Sequence, residues 1–354
     1  MINLFEECVD ISRQHPNFIA LADERNFVAR NYLNQWTDGF IDRDRKIVKE
    51  FQTTFNSTFW ELYLFNVFKC WNITIDFSYQ MPDFTMQKPF CINVEAVIAN
   101  NAFSEKAEWQ KDFSESLEPD EKNKIIHTAT LRLSNALIEK YRKYKNGYSS
   151  LPHVRSKPFV LALAPFEQPY FWEQTHEAIN RVLYGYKKPK YIDEGNERVI
   201  LGHEYIDFVE KDNGAEIELG FFSKDLMPEI SAVIFSNVAT IGKVRAMVKD
   251  IDKRDIYFTF AKFNKNGLHP HQGTVPKSQY HENFEDGLGI LLNPYAKYPV
   301  DDDFIKLFPN YTSWDIECKS PIGDVKDGDL LKRMVNIFGF HEVDEKQKTA
   351  YNKQ

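Results

Sequence analysis

The sequence predicts an α/β fold with a mixed central sheet flanked by helices. Three observations predict it. Short strand-like segments cluster between residues 73 and 98. A long helical pattern follows over 118–144. Isolated apolar runs then recur at 159–163, 232–235 and 290–292, each bounded by polar or turn-forming sequence. Strands interleaved with helical periodicity suit a sheet with helices on its faces.

In chain order, residues 1–50 are charged and mostly helical in pattern, with a break at Pro16. FWELYLFNVFKCW, residues 59–71, is a strongly apolar helix. Residues 73–79 alternate like a strand, 83–87 form a second strand after Pro82, and 90–98 (FCINVEAVI within that span) form a third. Pro119 is tolerable in the first turn of the 118–144 helix. FVLAL at 159–163 lies between Pro158 and Pro165 and reads as a buried strand, and 171–184 is helical. Residues 187–224 are polar and turn-rich, as in an insertion or outer hairpin. The expected organisation is a helical segment over 1–54, a core with insertions over 55–341, and a charged, flexible tail over 342–354.

The chain has 354 residues, 43% hydrophobic and 15% aromatic, so it can bury a sizeable core and is not disordered throughout. A net charge of -8 gives no global attraction for phosphate, so any nucleic-acid contact needs a local basic patch. Cys8, Cys70, Cys91 and Cys318 form no CxxC pair, which excludes a zinc ribbon or thioredoxin-type motif. Cys70 and Cys91 sit in apolar segments and are expected as small buried core residues, in a reducing compartment. The acidic start MINLFEECVD lacks a signal-peptide pattern, and no apolar run is long enough to span a bilayer. The expectation is a cytoplasmic protein with no membrane partner.

Three carboxylates stand out. On a helix, Glu61 shares a face with Leu64, Phe65 and Phe68 and is costly to bury without a partner. The alternative is a capping box, Thr58-x-x-Glu61. Asp83 follows Pro82, which alone reads as a turn. Glu95 is centred in an apolar strand whose alternation puts Ile92, Val94 and Ala96 on one face and Asn93, Glu95 and Val97 on the other. It needs a metal or a buried ion pair. Two carboxylates on adjacent strands can hold Mg²⁺, which prefers oxygen ligands.

The order helix-Glu, strand, Pro-Asp, strand, Glu resembles the PD-(D/E)xK, or restriction-endonuclease-like, nuclease superfamily. NALIEKYRKY, LPHVRSKPFVLAL, AVIFSN and LLNPYAKYP are similar to an uncharacterised bacterial family of like layout. The resemblance implies Asp83 and Glu95 as Mg²⁺ ligands, with Mn²⁺ as a substitute, and Glu61 as the helix glutamate seen in many members. It also implies a lysine two residues after the strand glutamate, where this chain has Val97.

Lys140 is the candidate replacement, because it shares a helical stripe with Leu133, Ala136, Leu137 and Tyr144. It could equally snorkel to solvent. Arg132, Arg142, Lys143 and Lys145 lie on the same helix, with Arg155 and Lys157 beyond, as a stretch that could track a phosphate backbone or simply be solvated. His269, His271 and His281 read as an exposed loop, Gly287-Leu288-Gly289 lacks a dinucleotide fingerprint, and Asp301, Asp302 and Asp303 read as a solvated turn. There is no P-loop and no GxSxG elbow. Trp60, Tyr63 and Phe65 read as core.

The expected activity is that of a Mg²⁺-dependent phosphodiesterase, a hydrolase acting on nucleic acid with DNA the favoured polymer. Asp83 and Glu95 would hold the metal, with Glu61 and Lys140 completing the catalytic set. One alternative is a catalytically inactive module of the same fold that binds nucleic acid or protein. Another is a glycosidase using Glu61 and Glu95 as acid and base. Oligomeric state stays open, a homodimer included.

Overall fold

The first 70 residues fold as helices: α1 (Pro16–Ala22), α2 (Phe27–Trp36), α3 (Ile47–Thr53) and α4 (Phe55–Cys70). Their placement comes from a computed structural model that describes residues 1–100, 106–110, 118–194, 197–248 and 255–338. The Pro16 break is a helix start: Pro16 occupies the first turn of α1, and the His15 ring caps it by accepting the Asn17 N–H at 3.1 Å. Helix α4 is apolar all round and buried almost throughout, which places it between the sheet and the preceding helices. Leu4, Phe18, Leu33 and Phe51 from the first 54 residues share that core.

Next come β1 (Thr74–Ile75), β2 (Phe84–Lys88) and β3 (Asn93–Ile98). Strand β1 is shorter than the alternation over 73–79 predicts, because Asp76 turns the chain by accepting the Ser78 N–H at 2.9 Å. Helix α5 (Pro119–Asn146) opens with a reciprocal capping box between Glu118 and Glu121. After it come β4 (Phe159–Ala164) and α6 (Glu177–Tyr184). The polar segment expected as an outer hairpin is two of them, β5 (Tyr186–Glu194) with β6 (Glu197–Tyr205), and β7 (Phe208–Glu210) with β8 (Glu216–Glu218). Strand β9 (Ala232–Phe235) precedes α7 (Ile241–Met247), β10 (Asp255–Lys262) and β11 (His271–Pro276). The chain continues through β12 (Gly289–Leu292), α8 (Asp302–Ile305), β13 (Asn310–Asp315), β14 (Ser320–Val325) and β15 (Leu330–Phe338). The acidic turn at 301–303 is a helix start, with Asp301 accepting the Asp303 N–H.

Eight strands form a mixed sheet in the order β1-β2-β3-β4-β9-β12-β13-β14. Strands β3, β4 and β9 are parallel at its centre, and β12 runs antiparallel to β9. Strands β11-β10-β15 form a separate antiparallel sheet. Strand β4 shows how the layers form. Val160, Ala162 and Ala164 join the α4 core, whereas Phe159, Leu161 and Leu163 join a second core with α5 and α6. A central parallel strand buried on both faces therefore reads as a continuous apolar run.

Cys70 and Cys91 correct an expectation: all four cysteines are exposed. Cys70 ends α4 beyond its buried stretch, and Cys91 lies in the link between β2 and β3. Among the described residues no helix is long and apolar enough to cross a membrane. The charged tail expected at 342–354 lies outside the described residues.

Candidate functional site

The site begins where β2 and β3 part. Their ladder is short, Phe84 opposite Val94 and Thr85 opposite Asn93. Beyond it, the flank of β3 facing β2 has an uncovered backbone donor at Ala96. Asp83, immediately before β2, fills that position: its Oδ2 accepts the Ala96 N–H at 2.7 Å. What looked like a Pro-Asp turn is a carboxylate pinned against the middle of β3.

Glu95, 4% exposed, points from β3 toward α5. Its Oε1 accepts the Lys140 ammonium at 2.8 Å, the Tyr148 hydroxyl at 2.9 Å and the Lys143 ammonium at 3.4 Å. Lys140 therefore turns inward, since a carboxylate on the strand answers its charge. Val97, two residues along the same face, is buried in the second core. The cations that meet Glu95 come from α5.

Glu61 lies well inside α4, whose N-cap is Thr54, so the capping box with Thr58 does not form. Burial, then repulsion from Asp83, pushes the Glu61 carboxyl up to about 8, with Arg43 opposing. Burial, then Glu95, pushes Asp83 up to about 7, opposed by the Ala96 N–H, Lys140 and Arg43. The three carboxylates thus occupy one electrostatic neighbourhood.

Two members were not anticipated. Arg43 donates to the Asp83 carbonyl at 3.3 Å and to the Tyr79 carbonyl. Its local sequence, IDRDRK, is an ordinary charged surface stretch. Tyr148 follows the end of α5, where an aromatic gives no functional signal. Burial and Glu95 raise its pKa, so it stays a hydroxyl donor.

A cavity of about 420 Å³ opens beside the cluster, lined by Ser57, Ala96, Arg132, Asn135, Glu139 and Lys140 among others. Arg132 is a buried wall of this cleft, not part of an exposed basic stripe. Burial lowers its pKa to about 10, with Glu167 opposing. Arg142, Lys143 and Lys145 are exposed. Lys143 leans over the Tyr148 ring, while Lys145 turns to the Tyr141 ring and to Glu229, 3.8 Å away. The basic helix end therefore divides between two flanks.

Among the described residues no group of three or more His, Cys, Asp and Glu side chains is arranged to hold a metal ion. His269, His271 and His281 are exposed and belong to no such group. A cation held here would rest on the Asp83 and Glu95 pair and on water. Their oxygens are hard donors of the kind Mg²⁺ or Mn²⁺ takes, and burial, with neighbouring carboxylates second, raises Glu61 and Asp83. The chain matches no family model, no curated protein and no solved structure.

Proposed function

We propose that this chain is a metal-dependent phosphodiesterase acting on nucleic acid, DNA before RNA, built on a restriction-endonuclease-like core. The observation that carries this reading is the Lys140 ammonium, 2.8 Å from Glu95 in the same cluster as Asp83 and Glu61. Asp83 and Glu95 would hold Mg²⁺, which when bound acidifies a water and neutralises charge on the phosphodiester. Lys140 faces the attacking side and stabilises developing negative charge there. Tyr148 and Lys143 hold Glu95 in one orientation. Glu61, raised to about 8, would orient the attacking water and, in its ionised form, take up the water's proton.

The test is cleavage of plasmid and linear DNA, and of RNA, with Mg²⁺ or Mn²⁺. Asp83→Asn, Glu95→Gln and Lys140→Ala should each lower the rate by at least about 10²-fold, with unchanged circular dichroism. Undiminished cleavage by both carboxylate variants would end the proposal.

A second reading has its own support: Glu95 already has a cation partner, so the pair is a satisfied ion bridge without metal. On that reading the chain is a catalytically inactive module that binds nucleic acid or protein. Calorimetric titration with Mn²⁺ separates the two. No metal binding, with salt-dependent nucleic-acid binding retained, favours the module.

A further inference from the structure

Strands β3, β4 and β9 are parallel and end on the same edge of the large sheet. The chain leaves β4 for α6, which packs in the second core, and leaves β9 for α7, which packs with α2 on the α4 side. Neighbouring parallel strands whose connections diverge to opposite faces leave a crevice outside their carboxyl ends. This is the position at which open α/β sheets bind ligands. Here it contains a cavity of about 710 Å³, a size that admits a small organic ligand. Glu61, Asp83, Glu95 and Lys140 do not line it, so it is separate from the carboxylate cluster.

We infer that this cavity is a nucleoside site that holds a purine or pyrimidine base between aromatic walls. Phe166, Phe171 and Trp172, which follow β4, form one wall, and Phe55 and Phe59 of α4 form another. Half of the polar side chains that line it are amides, Asn17, Asn56, Asn237 and Asn336, beside Glu108, Thr240, Arg245 and Arg333. Asn17 and Asn237 already use both amide hydrogens and so present oxygens, whereas Asn56 gives only one N–H to Glu167; a mixture of acceptors and donors is what the edge of a base requires. Asn237 is fully buried. Its Nδ2 donates to the Trp172 and Leu331 carbonyls, both at 3.3 Å, while its Oδ1 has no hydrogen-bond partner. A buried acceptor left open at a cavity wall needs a reason, and a ligand donor supplies one.

The charges point to a nucleoside in preference to a polyphosphate. The Arg333 guanidinium is already held by both Glu282 oxygens, at 2.5 and 2.7 Å, and by the Val238 carbonyl. The rest of the charged lining is one guanidinium, Arg245, and one buried carboxylate, Glu108, which accepts from Asn17 at 3.3 Å, so the cavity holds no surplus of cations for a phosphate chain.

The test is isothermal titration of the full chain with adenosine, guanosine, cytidine and uridine, and separately with ribose. At least one nucleoside should bind saturably and ribose should not. Met334 packs on the first core, and Asn336 shares its face of β15. Asn336→Ala should weaken binding by about five- to tenfold. Met334→Trp, which puts bulk into the cavity, should abolish it, with thermal melting showing that both variants fold. Glu95→Gln should leave affinity unchanged, so loss of the nuclease reading would not affect this one. The inference is overturned by no saturable binding of any nucleoside, by ribose binding as tightly, or by full affinity in both cavity variants.

Discussion

Glu61 and Asp83 carry raised pKa values because each is partly buried and desolvated beside other carboxylates. The sign of the consequence follows. An unfolded chain releases these protons near pH 4, whereas the folded one keeps them to about 7 and about 8. The native state binds more protons across that window, so the pair's contribution makes stability fall as pH rises. Glu61→Gln is therefore expected to flatten the decline in Tm between about pH 5 and about pH 8; an unchanged slope would contradict this. A cation must displace the same protons. The rise in Tm caused by Mn²⁺ should accordingly be larger at about pH 8 than at about pH 6. Tyr148→Phe removes a donor to a buried carboxylate and should cost about 1–2 kcal/mol in urea denaturation, with Lys140 still paired to Glu95.

Helix α5 does more than flank the sheet. One element carries Arg132 into the cleft wall and Lys140 and Lys143 onto Glu95, and its capping box fixes where that stripe begins. The turn into β12 shows the opposite constraint, set by space. Gly287 has φ +78°, and a Cβ there would lie 2.1 Å from Val238 Cγ2 and 2.9 Å from the Leu330 carbonyl. The Gly-Leu-Gly that is no dinucleotide fingerprint is thus a close backbone approach. Gly287→Ala should lower stability by about 2 kcal/mol or more, read from the denaturation midpoint.

The small sheet is joined to the rest of the molecule by a buried ionic knot. Lys243 on α7 and Arg333 on β15 both grip Glu282, and Lys243 also donates to the Asn283 and Asp286 carbonyls. Burial works against the Glu282 charge, but Arg333 and Lys243 outweigh it and hold its pKa below the usual range. Glu282→Gln leaves two cations buried without an anion and should cost about 3–5 kcal/mol. Because the knot is out of reach of salt, that loss should change little between low and high ionic strength. A second polar path crosses the first core. Asn56, at the β4–β9 crevice, donates to Glu167 at 2.8 Å, and Glu167 acts in turn on Arg132 in the cleft.

Local pattern was enough to read α4, α5, β4, β9 and the run inside β12, because each is an apolar run or stripe of the right period. Strands β10, β11, β13, β14 and β15 were not legible: their positions are largely half-exposed, so the two-residue alternation is weak. The candidate site divides the same way. Glu61, Glu95 and Lys140 are charges set in apolar surroundings, and that conflict is visible in sequence. Arg43 and Tyr148 sit in unremarkable local contexts and could not be found that way. The sequence alone determined which carboxylates needed a partner. Only the folded arrangement determined the partners, bringing Lys140 to Glu95 across 45 residues and Arg43 to Asp83 across 40. The physical reason is that burial cost is a local property of an apolar stretch, whereas pairing depends on strand order and on where one strand leaves another's edge uncovered.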